Sequence, residues 1–401
     1  MNNSRLLGCS LIIAGTTIGA GMLALPLASA AIGFKYSLLL MIFFWALMTY
    51  SALLLVEAHQ YADSNATLHT LAAQLLGKNA KWAVGFFMCF LFYALCAAYV
   101  AGGGSQLNLR IEQWISIKLS NGLTSLIFTA MIAFVVYLGT LAVDRVNRFL
   151  FAAKLITLIC VLMLLTPSIT QEYLLSKPLE SSLILAAMPV VFTSFGFHGS
   201  IPALVRYLDG DTATLKRSIM IGSSIPLLIY VIWQLVTLGN IEQSVMSANP
   251  SLGGLISSLA ILVHSPYLSQ LIGIFADLAL ATSFLGVSLG LFEFVGDATR
   301  TGQTTKPRLA IMMMTFLPPL LFAMYYPQGF ITALGYAALA LAALALFIPV
   351  LLVIRARQIA PSHGHYQVFG GKIGLIAVTL SGILIVAVQM SITVGLLPNV
   401  G

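Results

Sequence analysis

Two apolar segments of this chain are interrupted at mid-length by glycines, hydroxyl residues and a following proline. One reads Ala14-Gly-Thr-Thr-Ile-Gly-Ala-Gly-Met-Leu-Ala-Leu-Pro26, and the other reads Phe192-Thr-Ser-Phe-Gly-Phe-His-Gly-Ser-Ile-Pro202. A lipid bilayer holds no water to satisfy an opened backbone, so a break inside a span persists only where it is buried in protein or lines a polar cavity. Corresponding breaks in two halves of a chain predict a binding site near the middle of the membrane.

The composition requires lipid as part of the solvent. Of the 401 residues, 59% are hydrophobic and 8% are charged, whereas soluble domains carry about 25% charged residues. No soluble core buries this much apolar surface. The formal net charge of +7 includes no run of Lys and Arg typical of a nucleic-acid patch, so we expect a lipid bilayer and no nucleic acid as partner.

A membrane-spanning helix needs roughly 20 apolar residues, and eleven segments meet that requirement. The segment 252–264 is too short to cross and is predicted to be a re-entrant or interfacial helix. The predicted spans lie near residues 7–33, 36–58, 82–104, 122–143, 149–167, 182–205, 218–240, 268–295, 309–326, 329–354 and 373–396.

The distribution of Lys and Arg predicts the orientation, because cytoplasmic loops carry the excess of these residues. With the N-terminus in the cytoplasm, 15 of the 19 basic residues fall on the inner side. The other four are Lys35, Arg110, Lys118 and Lys177. The odd number of spans then sends the C-terminus to the outer side.

The interrupted spans are the first and the sixth, which indicates a repeat of five spans. Because five is odd, the second copy must be inverted. We therefore predict an all-α integral membrane protein with the LeuT-type fold, in which two inverted repeats of five spans are followed by an eleventh helix. It forms one transmembrane domain over residues 1–401, with repeats at about 7–167 and 182–354 and the extra helix at about 373–396.

The break in the first span supplies two helix ends. Unwinding over Thr16–Gly21 exposes N–H groups near Gly21 and Met22, at the positive end of a helix dipole, which suits a carboxylate. Carbonyls freed over 15–17 and 192–195 suit an ammonium, so the pair suits a zwitterion; the alternative is a glycine patch for helix packing. The predicted substrate-binding residues are Thr16, Thr17, Gly19, Ala20, Gly21, Met22, Tyr93, Phe192, Ser194, Phe195, Gly196 and His198.

Three roles stay open for His198, which lies in the second break. It titrates, it donates to a substrate hydroxyl, or it caps the unwound helix. Six aromatic residues either fill ordinary core or, where they lie beside the breaks, stack on an aromatic ring; they are Phe192, Phe195, Phe197, Tyr93, Tyr99 and Phe284.

Adjacent hydroxyls at mid-depth of the eighth span, Thr282 and Ser283, indicate a coupling site. In the LeuT-type fold this helix faces the inner half of the first span. The two hydroxyls, with the carbonyls of Gly15, Ile18 and Ala279, then form an all-oxygen site for a small cation. The alternative is that both hydroxyls bond back to their own helix.

Lys154 offers a competing mode of coupling. It follows Arg148 by six residues in the fifth span, roughly 9 Å deeper along a helix. Its amine either takes the place of the cation and carries a proton, or snorkels to the inner surface. We favour the proton and expect no metal, with sodium at the coupling residues as the alternative.

Three long strings, Ala14–Leu27, Val191–Ser200 and Phe275–Val287, resemble the hydroxy and aromatic amino acid permeases. The likeness continues through Phe316-Leu-Pro-Pro-Leu320, Ala333-Leu-Gly-Tyr336 and Gly395-Leu-Leu-Pro398. The resemblance implies a symporter of L-tyrosine and protons in the bacterial inner membrane, with a periplasmic C-terminus, working by alternating access without a cofactor. Similar permeases take tryptophan, serine or threonine; no oligomeric state is predicted.

Other functions fit the sequence less well. A membrane-embedded enzyme would need paired carboxylates, histidines at metal-binding spacing or a nucleophile with its base inside the spans, and the sequence has none of these. A channel would need rings of polar groups around an axis. Within the transporter class, the alternatives are a tryptophan or broad aromatic permease, or sodium coupling.

Overall fold

The computed structural model describes residues 3–63, 65–249, 251–262, 266–299, 305–359 and 366–400. All regular structure in these ranges is helical. The helices are α1 (Asn3–Thr17), α2 (Gly21–Ser29), α3 (Gly33–His59), α4 (Leu68–Leu76), α5 (Lys78–Ile115), α6 (Asn121–Leu138), α7 (Thr140–Leu165), α8 (Gln171–Leu174), α9 (Ser182–Thr193), α10 (Ile201–Tyr207), α11 (Thr212–Asn240), α12 (Gln243–Ala248), α13 (Leu252–Leu262), α14 (Pro266–Thr299), α15 (Thr305–Tyr325), α16 (Phe330–Ala342), α17 (Ile348–Ile359) and α18 (Gly371–Thr393).

The prediction of eleven spans is confirmed. Within the described residues, ten helical segments are long and apolar enough to cross a membrane, and α1 with α2 makes an eleventh span, bent by 52°. The sixth span, Ser182–Tyr207, contains α9 and α10. The tenth joins α16 to α17 through a π-helical turn, Ala343–Phe347. In the segment 252–264, α13 is a short helix of eleven residues, and residues 263–264 lie outside the described part.

Two predicted boundaries are wrong. Gly139 has a φ of 107°, a value that glycine adopts readily, and it ends α6 at Leu138. Residues 140–143 therefore open the fifth span instead of closing the fourth. The third span, predicted at 82–104, extends to Ile115 in α5, a helix of 38 residues that begins at Lys78. Apolar length does not detect this extension, because Gln106, Asn108 and Arg110 are polar residues that pack inward.

The start of the seventh span is fixed by a side-chain cap. The Asp211 carboxylate accepts hydrogen bonds from the N–H groups of Ala213 and Thr214 at 3.0 and 3.1 Å, and from the Thr214 hydroxyl at 2.6 Å. These donors, the hydroxyl foremost, hold the pKa of Asp211 below its ordinary value. The cap satisfies backbone donors that the first turn of a helix leaves open.

The two halves of the chain pack in the same way. The third span packs against the tenth, through α5 and α16, and the eighth packs against the fifth, through α14 and α7. In a repeat of five spans, the third span corresponds to the eighth and the fifth to the tenth. The contact between the third and tenth spans therefore corresponds to the contact between the eighth and fifth spans. A second pair of contacts is related in the same way. The first span packs against the seventh, through α1 and α11, and the sixth span packs against the second, through α9 and α3. An inverted repeat of five spans produces this pairing.

A fully buried carboxylate ties three elements together at the end of the second span. Arg357 donates to both oxygens of Glu57 at 2.6 and 2.9 Å, and the N–H of Val368 donates to the same carboxylate at 2.7 Å. Gln60 and Tyr366 exchange two further hydrogen bonds of 2.9 Å beside it. The end of α3, the end of α17 and the chain leading into α18 are thereby joined.

We predict that Glu57→Gln lowers the melting temperature of the protein in detergent. Removing one partner of a buried ion pair costs roughly 3–5 kcal/mol, because the remaining charge keeps its desolvation cost. The control is Asp144→Asn, which breaks the exposed Arg148–Asp144 pair and should cost about 0–1 kcal/mol. Equal melting temperatures for the two variants would contradict the structural importance of Glu57.

Candidate functional site

The break in the first span is shorter than the sequence predicts. α1 ends at Thr17 and α2 begins at Gly21, which leaves only residues 18–20 outside a helix. Thr16 and Thr17 remain helical, and their hydroxyls donate to the carbonyls four residues earlier, at 2.8 Å each. This local bonding is common for threonine in helices. The predicted unwinding over Thr16–Gly21 is therefore corrected to three residues.

The break in the sixth span lies directly against the start of α2. α9 ends at Thr193, and helical structure resumes at His198 in a single 3-10 turn. The Ser194 hydroxyl lies 3.1 Å from the carbonyl oxygen of Gly21, to which it donates. A Cβ on Gly21 would stand 3.2 Å from the Cα of Ser194. Glycine at position 21 thus permits the close approach of the two broken spans.

Tyr230 of α11 joins the two breaks. Its hydroxyl lies 2.6 Å from the carbonyl oxygen of Thr17 and 3.0 Å from that of Ser194, and the two carbonyls share its one O–H donor. The ring is fully buried and packs edge-on against Phe195. The sequence analysis missed this residue, because one tyrosine in an apolar span carries no local signal that separates a functional ring from core packing.

A cavity of about 680 Å³ lies at the two breaks, within the range typical of small-molecule sites. Twelve of the eighteen residues predicted for substrate binding or coupling line it. They are Gly15, Thr16, Thr17, Ile18, Gly19, Gly21, Lys154, Ser194, Gly196, His198, Thr282 and Ser283. Residues far apart in sequence therefore meet as predicted, while their individual roles stay predictions.

Six predicted residues lie outside this lining. Five are at most 1% exposed and pack behind the breaks. Tyr93 instead donates to the carbonyl of Met314 at 2.8 Å, in a separate apolar pocket beside α15. The sequence identifies aromatic and small residues near a break but not the direction in which each side chain points. The five buried residues are Ala20, Met22, Phe192, Phe195 and Ala279.

Two helix ends of opposite polarity face the cavity. Within the described part of the chain, the carbonyls of Gly15 and Thr16 at the end of α1 accept no hydrogen bond, and the N–H of Gly21 at the start of α2 donates none. The carbonyls form the negative end of a helix dipole and the N–H group the positive end. The described lining residues include Arg148 and Lys154 but no carboxylate. This arrangement suits a zwitterion.

The Lys154 amine reaches the position predicted for a cation. The residue is 2% exposed, and its Nζ donates to the carbonyl of Ile18 at 2.9 Å and to the Thr282 hydroxyl at 3.3 Å. The same Nζ stands 4.5 Å from the centre of the Phe151 ring. The side chain therefore points into the protein and does not snorkel. Thr282 also bonds back to the carbonyl of Leu278 at 2.9 Å.

Ser283 has a different partner from its neighbour. Its hydroxyl accepts the N–H of Ala20 at 2.8 Å, which satisfies a donor that the break leaves open. The carbonyl of Ala279 accepts the hydroxyl of Thr282 at 3.2 Å. The predicted cluster of oxygens is therefore divided between the amine of Lys154 and the backbone of the break.

The cavity opens toward the side of the membrane on which α1 begins. From Lys154 its lining runs back along α7 to Asn147, seven residues away, or roughly 10 Å. There it reaches Arg148, whose side chain is 79% exposed. Thr16, also in the lining, is exposed as well.

The opposite side is closed. Every residue of α2 from Met22 to Ser29 is buried. Beyond it, the nearly buried Arg110 donates through Nε to Asp277 at 3.0 Å and through a second nitrogen to the carbonyl of Gln270 at 3.3 Å. The described residues therefore close the cavity toward this face of the membrane and leave it open toward the other.

The family model described as the Tryptophan/tyrosine permease family matches residues 2–389. The chain belongs to this family. The resemblance seen in the three long strings is thereby confirmed, and the permease is a multi-pass membrane protein of aromatic amino acid transport.

Relatives of this permease are transport proteins. It is 42% identical to tyrosine-specific transport system 1 of Haemophilus influenzae, over 99% of each chain. It is 37% identical to the tryptophan-specific transport protein of the same organism, over 97% of this chain and 96% of the relative. The interpretation as a transporter rather than an enzyme is therefore confirmed.

A solved structure shares the fold. The crystal structure of the manganese transporter of Eremococcus coleocola, in complex with an aromatic bis-isothiourea substituted compound, matches this permease with a TM-score of 0.60. The match covers 97% of this chain and 86% of that chain at 14% sequence identity, so it speaks to the fold alone. The predicted all-helical LeuT-type architecture is confirmed.

We predict that Tyr230→Phe lowers both the melting temperature and the affinity for aromatic amino acids, measured by thermal unfolding with and without ligand. Two carbonyls in a water-poor site lose their shared donor, at a cost of roughly 1–3 kcal/mol. Tyr93→Phe is the matched control, since it loses one hydrogen bond to a carbonyl outside the cavity. If Tyr93→Phe weakens ligand binding and Tyr230→Phe does not, the placement of the site at the two breaks is contradicted.

Proposed function

We propose that this permease imports L-tyrosine across the bacterial inner membrane by proton symport and alternating access. The observation that carries the proposal is the pairing of two open helix ends of opposite polarity with a buried amine in one cavity. The alternative substrate is tryptophan, which the 37% identical relative favours. Tyrosine is preferred because the relative that is 42% identical over nearly its whole length is tyrosine-specific by name.

The substrate would bind as a zwitterion between the two breaks. Its carboxylate meets the free N–H of Gly21, and its ammonium meets the open carbonyls of Gly15 and Thr16. Apolar side chains of α5 and α14, among them Leu95 and Val287, line the cavity and would cover the ring. Backbone groups at helix ends then bind the charged groups of the substrate, while the residues that line the cavity contact the substrate's side chain.

Coupling would depend on the charge of Lys154. An ammonium group has three donors and no acceptor, which complements the carbonyl of Ile18 and the hydroxyl of Thr282. A sodium ion would need these same oxygens, so the amine and the metal ion are alternatives. Loss of the proton weakens the link between α7 and the broken first span. A proton entering with a neutral substrate moves one charge, about 2.3 kcal/mol per 100 mV.

The open face would be the cytoplasmic one. With the N-terminus in the cytoplasm and the C-terminus in the periplasm, the side on which α1 begins is the inner side. The structure then corresponds to an inward-open form, with α2 and the Arg110–Asp277 pair closing the periplasmic side. Transport requires that this closure opens while the inner path closes.

We predict that Gly286→Leu abolishes uptake of labelled tyrosine into proteoliposomes while the protein still folds. No heavy atom lies within 4 Å of the place where a Cβ on Gly286 would stand, and this glycine lines the cavity. Leucine favours helix and would fill the substrate space. Gly8→Leu, equally uncrowded and outside the lining, should transport normally. Normal uptake by a folded Gly286→Leu variant would refute this cavity as the substrate site.

We expect Lys154→Ala to lose concentrative uptake while retaining exchange of internal for external tyrosine. Lys154→Arg should also lose it, because a guanidinium does not release its proton. Lys177→Ala, a substitution of a lysine between spans, is the control. The measurement is proteoliposome uptake with pH and sodium gradients imposed separately. Accumulation of tyrosine under a sodium gradient alone, at equal pH and clamped voltage, would show that sodium and not the proton is the coupling ion.

A further inference from the structure

His198 is a buried histidine whose ring has no partner in the protein. The residue is 3% exposed, and neither Nδ1 nor Nε2 has a hydrogen bond to any residue in the described ranges. Buried side-chain nitrogens in native proteins almost always have a partner. His59, equally buried in α3, keeps one partner: its Nδ1 lies 2.8 Å from the carbonyl of Leu55, while its Nε2 has none in the described ranges. At His198 both ring nitrogens are without a partner, which leaves the imidazole available to a ligand.

The geometry removes one of the roles left open by the sequence. A histidine that caps an unwound helix must place a ring nitrogen within hydrogen-bond distance of a backbone group, and among the described residues none is so placed at His198. The 3-10 turn from His198 to Ser200 is instead closed by backbone bonds, such as Ser200 N–H to the carbonyl of Phe197 at 3.0 Å. The imidazole is therefore not needed to hold the break.

His198 belongs to the wall of the cavity. The ring of Phe197 packs against it with centroids 5.2 Å apart. The same unwound stretch begins at Ser194, which bonds to the start of α2. One short segment thus borders both the proposed carboxylate site and the imidazole.

We infer that His198 recognises the phenol hydroxyl of tyrosine. This inference rests on the proposed function and names the specificity-determining side chain of the same site. A neutral imidazole has one donor and one acceptor nitrogen. A phenol hydroxyl can use either, an indole N–H can only donate, and the ring of phenylalanine can do neither. Phenylalanine would leave the imidazole buried and unpaired, so the site rejects it.

Asn147 is the competing candidate, because its Oδ1 is also buried without a partner and lines the cavity. Asn147 is only half-buried, and it lies beside the exposed Arg148 at the mouth of the cavity. A residue that selects tyrosine over phenylalanine through the phenol hydroxyl must be shielded from water. At the mouth of the cavity, water would bond to that residue when phenylalanine is bound, and the selectivity would be lost. His198, which is 3% exposed, meets this requirement and the half-buried Asn147 does not.

The test compares tyrosine and phenylalanine as competitors of labelled tyrosine uptake in proteoliposomes. The wild-type protein should prefer tyrosine by about tenfold or more. In His198→Phe the preference should fall toward parity, through weaker tyrosine binding, whereas His198→Gln, which keeps a donor and an acceptor, should retain part of it. His59→Gln is the matched control and should keep the wild-type ratio.

The outcomes separate the inference from the proposed function. Absence of tyrosine uptake by the wild-type protein would overturn the proposed function and the inference together. Tyrosine uptake with an unchanged ratio in active His198→Phe, or a ratio that collapses only in Asn147→Leu, would overturn the inference alone. If His198→Phe does not fold, the wild-type ratio decides: equal competition by phenylalanine and tyrosine would also overturn it.

Discussion

The need to satisfy backbone hydrogen bonds without water governs this permease. Interrupting two helices at mid-membrane opens carbonyl and N–H groups that lipid cannot satisfy. Side chains from other spans take up part of this deficit: the Tyr230 hydroxyl serves a carbonyl in each broken span, Ser194 serves Gly21, and Ser283 serves Ala20. These contacts hold the first, sixth, seventh and eighth spans in register around the breaks.

The groups that remain open define what the cavity can bind. The carbonyls at the end of α1 and the N–H of Gly21 face one space, so opposite partial charges are presented without a buried carboxylate. Lys154 adds a positive charge that bonds to the broken span itself. In the proposed function, a change in that charge would act directly on the segment that borders the substrate, so substrate binding and proton binding would share one structural element.

Much of the architecture follows from local properties of the chain. Apolar length gives the number of spans, and Gly and Pro within two of them give the breaks and hence the repeat. The twelve lining residues that were predicted lie in or opposite those breaks, where residue type alone is informative. Lys154 was recognised because a charged residue so far inside a span is costly and therefore conspicuous.

The sequence by itself thus determined the fold class, the family and the segments that form the site. Only the tertiary structure decided which side chains complete it. Tyr230 and Thr17 are 213 residues apart, and Ser283 and Ala20 are 263 apart, so no local pattern reports their contact. The direction of each side chain was decided in the same way: Tyr93 turns to α15 and lies outside the cavity that Lys154 enters. Packing between spans, not spacing along the chain, sets which face of a helix each residue presents.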